Sequence, residues 1–267
     1  MAGGSDERAR AAADALARRS YGKLVAFLAA RTRDVSAAED ALADAFAAAL
    51  GHWPARGVPT NPEAWLLAVA RRRQIDMTRR RRTRAEAVGH VRFIADELTA
   101  AAASTSEIPD QRLALMFACA HPAIDPPVRA PLILQTVLGL DAATIAASFL
   151  LPPSAMSQRL VRAKAKIRDA AIPFRIPKAD ELAERLDAVL GAIYAIFSDA
   201  WRDPFASDPR RRDLSDEAVW LGRLVVSLLP CAAEALGLLA LMLHADARRA
   251  ARRDPKGAFV PLTEQDT

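Results

Sequence analysis

The 267-residue chain has few cysteines, few aromatic residues and no long uninterrupted apolar run. Its two cysteines, Cys119 and Cys231, lie far apart in sequence and do not indicate a disulfide framework. Aromatic residues make up 6 %, and valine and isoleucine are modest in number, which argues against a large β-sheet. No apolar stretch approaches the roughly 20 residues needed to span a bilayer, and the first ten residues lack the core of a signal peptide. We therefore expect a soluble, cytoplasmic protein with no membrane association.

Alanine and arginine dominate what is present. Hydrophobic residues make up 52 % of the chain, and alanine, an excellent helix former, supplies much of that share. The formal net charge is +5 and the sequence pI is about 9.7. Because the basic excess is concentrated in patches, it suggests a polyanionic partner. The expected class is all-α.

Motifs for catalysis and metal binding are missing. No phosphate loop, dinucleotide-binding glycine pattern or nucleophile elbow occurs, and no pair of carboxylates has a recognisable catalytic setting. Cys119 and His121 are a lone pair of metal-ligand types, whereas a structural zinc needs four ligands. The simpler interpretation is a buried cysteine and a histidine in a turn. We predict no enzyme activity, no metal and no cofactor.

Residues 36–50 predict a capped amphipathic helix. Ser36 and Glu39 have the spacing of a capping box. Asp40 and Asp44 lie outside the apolar stripe at an i, i+4 spacing that is mildly unfavourable for like charges. A solvated acidic face near a helix N-terminus is the alternative explanation. The predicted buried stripe consists of Leu42, Phe46, Ala49, Leu50 and Trp53.

A turn-rich loop at 51–62 precedes a helix whose second half is strongly basic. Eight arginines and one aspartate lie between Arg71 and Arg84, and they are distributed nearly all round the helix. This arrangement predicts contact with nucleic acid, either specific or nonspecific. Asp76 can pair within the helix with Arg72 and Arg80.

Residues 141–169 fit a helix-turn-helix. Asp141 can cap the first helix, and Pro153 suits the first turn of the second. Five cations and no acid occur between Arg159 and Arg168. The first turns of the second helix would offer polar groups to base edges and the later turns would offer cations to phosphates. The alternative is a helical hairpin with a solvated basic face.

These segments together resemble an extracytoplasmic-function sigma factor of bacterial RNA polymerase. Residues 38–50 look like region 2.2 of that family, 61–80 like regions 2.3 and 2.4, and 141–170 like region 4.2. Residues 118–140 and 162–177 are similar to a subgroup with an extra C-terminal, tetratricopeptide-like helical domain. The resemblance implies two small helical sigma domains followed by that extension.

The expected domains are region 2 at 1–85, a linker at 86–108, region 4 at 109–175 and the extension at 176–267. Members of the subgroup usually continue further, so the extension is expected to be a short or truncated form. Pro152 stands where the family usually has a polar cap, which leaves the register of base contacts open. The extension is predicted to contain three helices, the last with Leu236, Leu239, Ala240 and Leu243 inward.

The resemblance also assigns partners and residues. Asp40 and Asp44 would bind the β′ clamp helices of core polymerase, and region 4 would meet the β flap. Trp65 would fix the −10 helix to its domain. Control would come from a separate anti-sigma factor or from the C-terminal domain in cis. The candidate −10 residues are Asn61, Trp65, Arg71, Arg72, Arg73, Gln74, Arg79 and Arg80. The candidate −35 residues are Ser154, Ser157, Gln158, Arg159, Arg162 and Lys164.

Two other functions fit the same residues. A stand-alone helix-turn-helix regulator would bind duplex DNA tightly without polymerase. A helical interaction scaffold would form complexes that are insensitive to salt, unlike complexes that depend on phosphate contacts.

Overall fold

The computed structural model describes residues 3–82, 110–202, 209–249, 251–252, 254 and 258–265. These residues form ten α-helices and one short 3₁₀ helix, and contain no β-strand, which confirms the all-α prediction. The predicted linker at 86–108 lies outside the described residues. The helices are α1 (Gly3–Thr32), α2 (Val35–Arg56), α3 (Pro62–Arg82), α4 (Arg112–Cys119), α5 (Pro126–Leu138), α6 (Ala142–Ser148), α7 (Pro153–Asp169), α8 (Ala179–Arg202), α9 (Pro209–Leu228) and α10 (Ala233–Ala247).

Three groups of helices share one continuous apolar core. Helices α1–α3 pack together, α4–α7 form a second group, and α8–α10 a third. The second group lies between the others: α1 packs against α4 and α5, and α8 packs against α5. The predicted DNA-binding segments therefore belong to groups that contact each other.

Helix α2 begins differently from the prediction. Asp34 is its N-cap, and the carboxylate accepts a hydrogen bond from the Ala37 N–H at 3.0 Å. The predicted Ser36–Glu39 capping box is therefore wrong, because the helix already begins at Val35. The aspartate two residues earlier had the better position to accept the free N–H groups.

Helix α2 also ends later than predicted. It continues through Pro54 to Arg56, so the first half of the predicted loop at 51–62 is helical. Gly57, at φ +82°, supplies the left-handed conformation that follows it. Trp53 is buried as expected, whereas Leu50 is 46 % exposed and does not belong to the core stripe.

The C-terminal group contains the three predicted helices. In α8 and α9 the apolar stripes face the core, although Leu228 at the end of α9 is exposed. In α10 the prediction is wrong for three of four residues: Leu236, Ala240 and Leu243 are exposed, whereas Leu239 is partly buried and packs against the core. The fully buried residues are Ala235 and Met242. Because α10 is apolar on nearly every side, its sequence did not indicate which side faces α9.

Candidate nucleic-acid interface

Trp65 anchors α3 to its own domain. Its side chain is only 5 % exposed and packs edge-on against Trp53, with ring centroids 5.6 Å apart. His52 stacks on the same ring at 5.9 Å. The expected anchoring role fits this geometry, whereas a direct contact between Trp65 and DNA does not, because the ring is buried.

Asn61 has a structural part in starting α3. Its side-chain oxygen accepts a hydrogen bond from the Ala64 N–H at 3.0 Å, which is the geometry of an N-cap. The residue is half-buried. A base contact from Asn61 stays a prediction, and it would have to coexist with this cap.

The three consecutive arginines of α3 point to three different partners. The Arg71 guanidinium lies 4.7 Å from the ring centre of Phe27 on α1. Arg72 pairs with Asp76 at 3.8 Å, as predicted from their spacing. Arg73 reaches Asp44 of α2 at 3.8 Å, and both side chains are about half exposed. Ion pairs as exposed as this last one contribute only about 0–1 kcal/mol, so DNA phosphates can compete for the cation.

Three α3 candidates remain. One is less accessible, and the side chains of the other two lie outside the described residues. Gln74 is half-buried and already engaged in the fold. The side chains of Arg79 and Arg80 lie outside the described residues. The predicted ion pair between Asp76 and Arg80 therefore lies outside them too.

Asp40 and Asp44 are both exposed on α2. Since Asp44 also pairs with Arg73, the polymerase-binding candidates and the −10 candidates form one continuous surface. Their binding to polymerase stays a prediction.

Helices α6 and α7 pack against each other across the four-residue turn 149–152. The Asp141 carboxylate accepts hydrogen bonds from the N–H groups of Ala143 and Thr144, each at 2.9 Å, and caps α6. These bonds, with one from the Thr144 hydroxyl, hold the pKa of Asp141 below its usual value. In the turn, Leu150 adopts a left-handed φ of +54° and is 93 % exposed. Pro152 is the N-cap of α7, and Pro153 is the first residue of that helix.

The outer face of α7 carries most of the predicted −35 residues. Ser154, Ser157, Gln158 and Arg162 are exposed, and Arg159 is half-buried. Sequence reasoning missed Val161, which is 62 % exposed between Gln158 and Arg162. The helical period already placed it on this face, and its apolar side chain suits a thymine methyl group.

Arg159 and Arg162 also border a cleft that the sequence did not indicate. The cleft has a volume of about 520 Å³ and lies between α7 and the start of α5. Lys166 of α7 and Asp125 before α5 complete its charged lining. Three cations against one acid make it suited to an anionic group such as a phosphate.

Lys164 is the clear correction among the −35 candidates. It is only 9 % exposed, and its Nζ lies 2.6 Å from Glu39 Oε2 on α2. It points away from the exposed face of α7 because three or four residues separate neighbours on one helical face, and Lys164 falls beside the buried Leu160 and Ile167. Burial raises the pKa of Glu39, although Lys164 opposes the shift.

Cys119 and His121 have separate structural partners. Cys119 is fully buried and lies 3.5 Å from the Thr136 hydroxyl, and burial raises its pKa to about 12. The His121 Nδ1 accepts a hydrogen bond from the Ala123 N–H within its turn. The interpretation as a buried cysteine and a turn histidine is therefore confirmed.

Within the described ranges, no helix combines the length and the apolar character needed to cross a bilayer.

Comparison with known proteins divides the chain into two matched segments. Residues 16–84 match the family Sigma-70 region 2, and residues 185–267 match a family of unknown function, DUF6596. An uncharacterised protein of Rhizobium meliloti (strain 1021) is 38 % identical over 240 residues, which is 88 % of this chain. The chain spans 56 % of the length of that relative. No solved structure matches. The first third of this all-helical chain is thus similar to sigma-70 region 2, and that similarity supports an RNA polymerase sigma factor.

Proposed function

We propose that this protein is a sigma factor of the extracytoplasmic-function type, acting with core RNA polymerase in the cytoplasm. It binds the polymerase, recognises the −10 and −35 promoter elements and initiates transcription, while the nucleotide chemistry belongs to the core enzyme. One observation carries the proposal. A segment similar to sigma-70 region 2 and a separate helix-turn-helix each present a cationic, solvent-accessible helix surface.

The −35 contact falls to the outer face of α7. Gln158 would hydrogen-bond a base edge in the major groove, and Val161 would make an apolar base contact, a proposal supported by the exposure of both side chains. Arg159, Arg162 and Lys166 surround the cleft that suits a backbone phosphate. Lys164 has no part in this surface.

The −10 contact falls to the cationic part of α3. Arg73 is the best-placed described cation, since its partner Asp44 is itself exposed and replaceable. A cationic groove stabilises separated strands without many base contacts, which suits a melted promoter segment. Asp40 and Asp44 face the polymerase clamp in this arrangement.

The test is reconstitution of the full chain with core polymerase and run-off transcription from fragments of the source genome. We expect promoter-dependent products and co-purification of the chain with core. Gln158→Ala should abolish or redirect promoter choice, whereas Arg168→Ala, outside the base-reading surface and paired with Asp169, should leave it unchanged. Absence of both products and co-purification would overturn the proposal.

The same preparation separates the alternatives. Tight, sequence-specific duplex binding without polymerase would instead indicate a stand-alone regulator. Binding that does not weaken as salt rises would indicate a scaffold, because phosphate contacts release counterions and make affinity fall steeply with salt.

A further inference from the structure

An arginine of α8 is buried without a hydrogen bond. The side chain of Arg185 is only 5 % exposed, yet none of its nitrogen atoms donates to any of the described residues, and its Nε is buried. Its ion pair with Glu181, one turn earlier in the same helix, is 3.6 Å long. Burial of a guanidinium is strongly unfavourable unless acceptors surround it. Arg185 therefore lacks acceptors that the described side chains do not supply.

A second buried arginine acts on Arg185 from the neighbouring helix α5. The side chain of Arg129 is 9 % exposed, and its ion pair with Glu184 of α8 is long, at 3.8 Å. Its Nε donates to the Ile124 carbonyl at 2.9 Å and its Nη2 to the Pro122 carbonyl at 3.2 Å. These two bonds fix the guanidinium at the turn that follows α4. Its Nη1 makes no hydrogen bond within the described part of the chain.

His121, in the same turn, offers a further donor. Its Nδ1 accepts a hydrogen bond from the Ala123 N–H at 3.1 Å, so the neutral ring carries its proton on Nε2. Burial lowers the pKa of His121, and the charges of Arg185 and Arg129 lower it further, against the glutamates of α8. The histidine and the two arginines therefore form one electrostatic cluster, in which the ring is uncharged at neutral pH.

The described residues of this cluster carry an excess of positive charge. Arg175, in the segment between α7 and α8, pairs with Glu181 at 2.8 Å and also acts on Arg185. Three arginines thus face two glutamates, a net of 3 − 2 = +1. Glu184 is 62 % exposed and reaches Arg129 only across 3.8 Å. Such an ion pair is weak, so a bound anion can take the place of this carboxylate.

The donors select the chemistry of the ligand. Guanidinium groups bind oxyanions through paired N–H donors, and here they approach from two different helices. A terminal phosphate has three oxygens for Arg129, Arg185 and His121, whereas a carboxylate has two. Because Arg185 is almost completely enclosed, the phosphate must stand at the end of a small molecule rather than within a nucleic-acid strand.

We propose that Arg129, Arg185 and His121 form an oxyanion site between α5 and α8 that binds the terminal phosphate of a small molecule. The phosphate supplies the acceptors that Arg185 lacks, and it links the second group of helices to the third. The site uses none of the residues assigned to promoter or polymerase binding, so it does not depend on the proposed function.

Thermal unfolding of the full chain in chloride, inorganic phosphate and acetate, at one pH and one ionic strength, tests the site. A ligand that binds only the folded state stabilises it, so phosphate well above its Kd should raise Tm by roughly 2–4 °C over chloride. Acetate should have little effect. Arg185→Met should lose the rise, whereas Arg223→Met, the same change at an exposed position of α9, should keep it. An equal rise in both variants would be the general effect of phosphate on proteins and would overturn the site.

The measurement in chloride separates a ligand site from a structural ion pair. With no phosphate bound, Arg185→Met removes a buried charge that has no good partner, so its Tm should be no lower than that of the wild type. A large loss of stability in chloride would show that the fold itself satisfies Arg185, and the proposal would then be wrong.

A further variant removes the competing carboxylate. Glu184→Gln should bind inorganic phosphate up to about fivefold more tightly than the wild type, which is the range that a weak ion pair can contribute. Asp187→Asn is the matched control, since it removes one negative charge from an exposed position of the same helix. Isothermal titration calorimetry compares the two variants. Equal affinities would place the bound phosphate away from Glu184 and contradict the assignment.

A short DNA duplex distinguishes the source of the phosphate. It should bind the wild type and Arg185→Met equally, because strand phosphates do not reach an enclosed guanidinium. Loss of duplex binding in Arg185→Met but not in Arg223→Met would mean that the site takes a strand phosphate, which would overturn the assignment to a small molecule.

Discussion

At the scale of single residues, Asp141 shows how one side chain starts the helix-turn-helix. Asp141→Ala should cost about 1 kcal/mol of unfolding free energy, because two α6 N–H groups lose their acceptor. Asp141→Asn, whose amide oxygen can still cap, should cost less. Because the native pKa is lowered, the carboxylate's contribution is present above its unfolded pKa and is lost as pH falls through the native value. Urea unfolding of the three proteins across the acidic range measures both effects. Equal stability of wild type and Asp141→Ala would contradict the cap.

The two cysteines make a second prediction at this scale. Cys231 is exposed, whereas Cys119 is fully buried and its pKa is raised to about 12. Since the thiolate is the reactive form, one thiol of the native protein should react rapidly with a thiol reagent at neutral pH. The second thiol should react only on unfolding. A colorimetric thiol titration with and without denaturant measures this. Loss of the fast phase in Cys231→Ser identifies the residue, and two fast thiols in the wild type would contradict the structure.

At the scale of helices, α3 is anchored at one end and presents charge at the other. Trp65→Ala should lower the unfolding free energy by about 3–5 kcal/mol, because it removes a buried ring that packs on Trp53. Arg73→Ala should cost less than about 1 kcal/mol, since its ion pair is exposed. Denaturant unfolding of both variants gives the comparison. Under the proposed function, only the arginine variant should lose DNA affinity while remaining folded. A small effect of Trp65→Ala would mean that the ring is not the anchor.

At the scale of the whole molecule, Arg112 joins the second helical group to the third. Its guanidinium pairs with Asp110 and with Glu217 of α9, and lies 4.0 Å from the ring centre of Trp220. Burial raises the pKa of Glu217 against the opposing charge of Arg112. Arg112→Met would leave that carboxylate buried without its cation, a loss of about 3–5 kcal/mol in comparable pairs. Calorimetry should then show the C-terminal helices unfolding at lower temperature, apart from the rest. Arg223→Ala, at an exposed position, is the control. A single unfolding transition at an unchanged temperature in both variants would refute the role of Arg112 in joining the two groups of helices.

Much of the local structure was predictable because its causes are local. The 3.6-residue period indicated the helices, and Asp141 and Pro153 correctly marked the starts of α6 and α7. Where two local signals competed, prediction failed. Asp34 capped α2 in place of Ser36, and Pro54 did not end that helix. In α10, which is apolar on nearly every side, the helical period did not indicate which side is buried.

The sequence by itself determined that the described residues are mainly helical, that α3 and α7 each carry a cluster of basic residues, and that α6 begins after Asp141. Those features depend on residues within a few positions of one another. Only the tertiary structure decided that Lys164 is withdrawn from the DNA face and that Leu236, Ala240 and Leu243 of α10 are exposed. A buried cation takes the partner that the fold brings to it, and the partner of Lys164 lies 125 residues away on another helix.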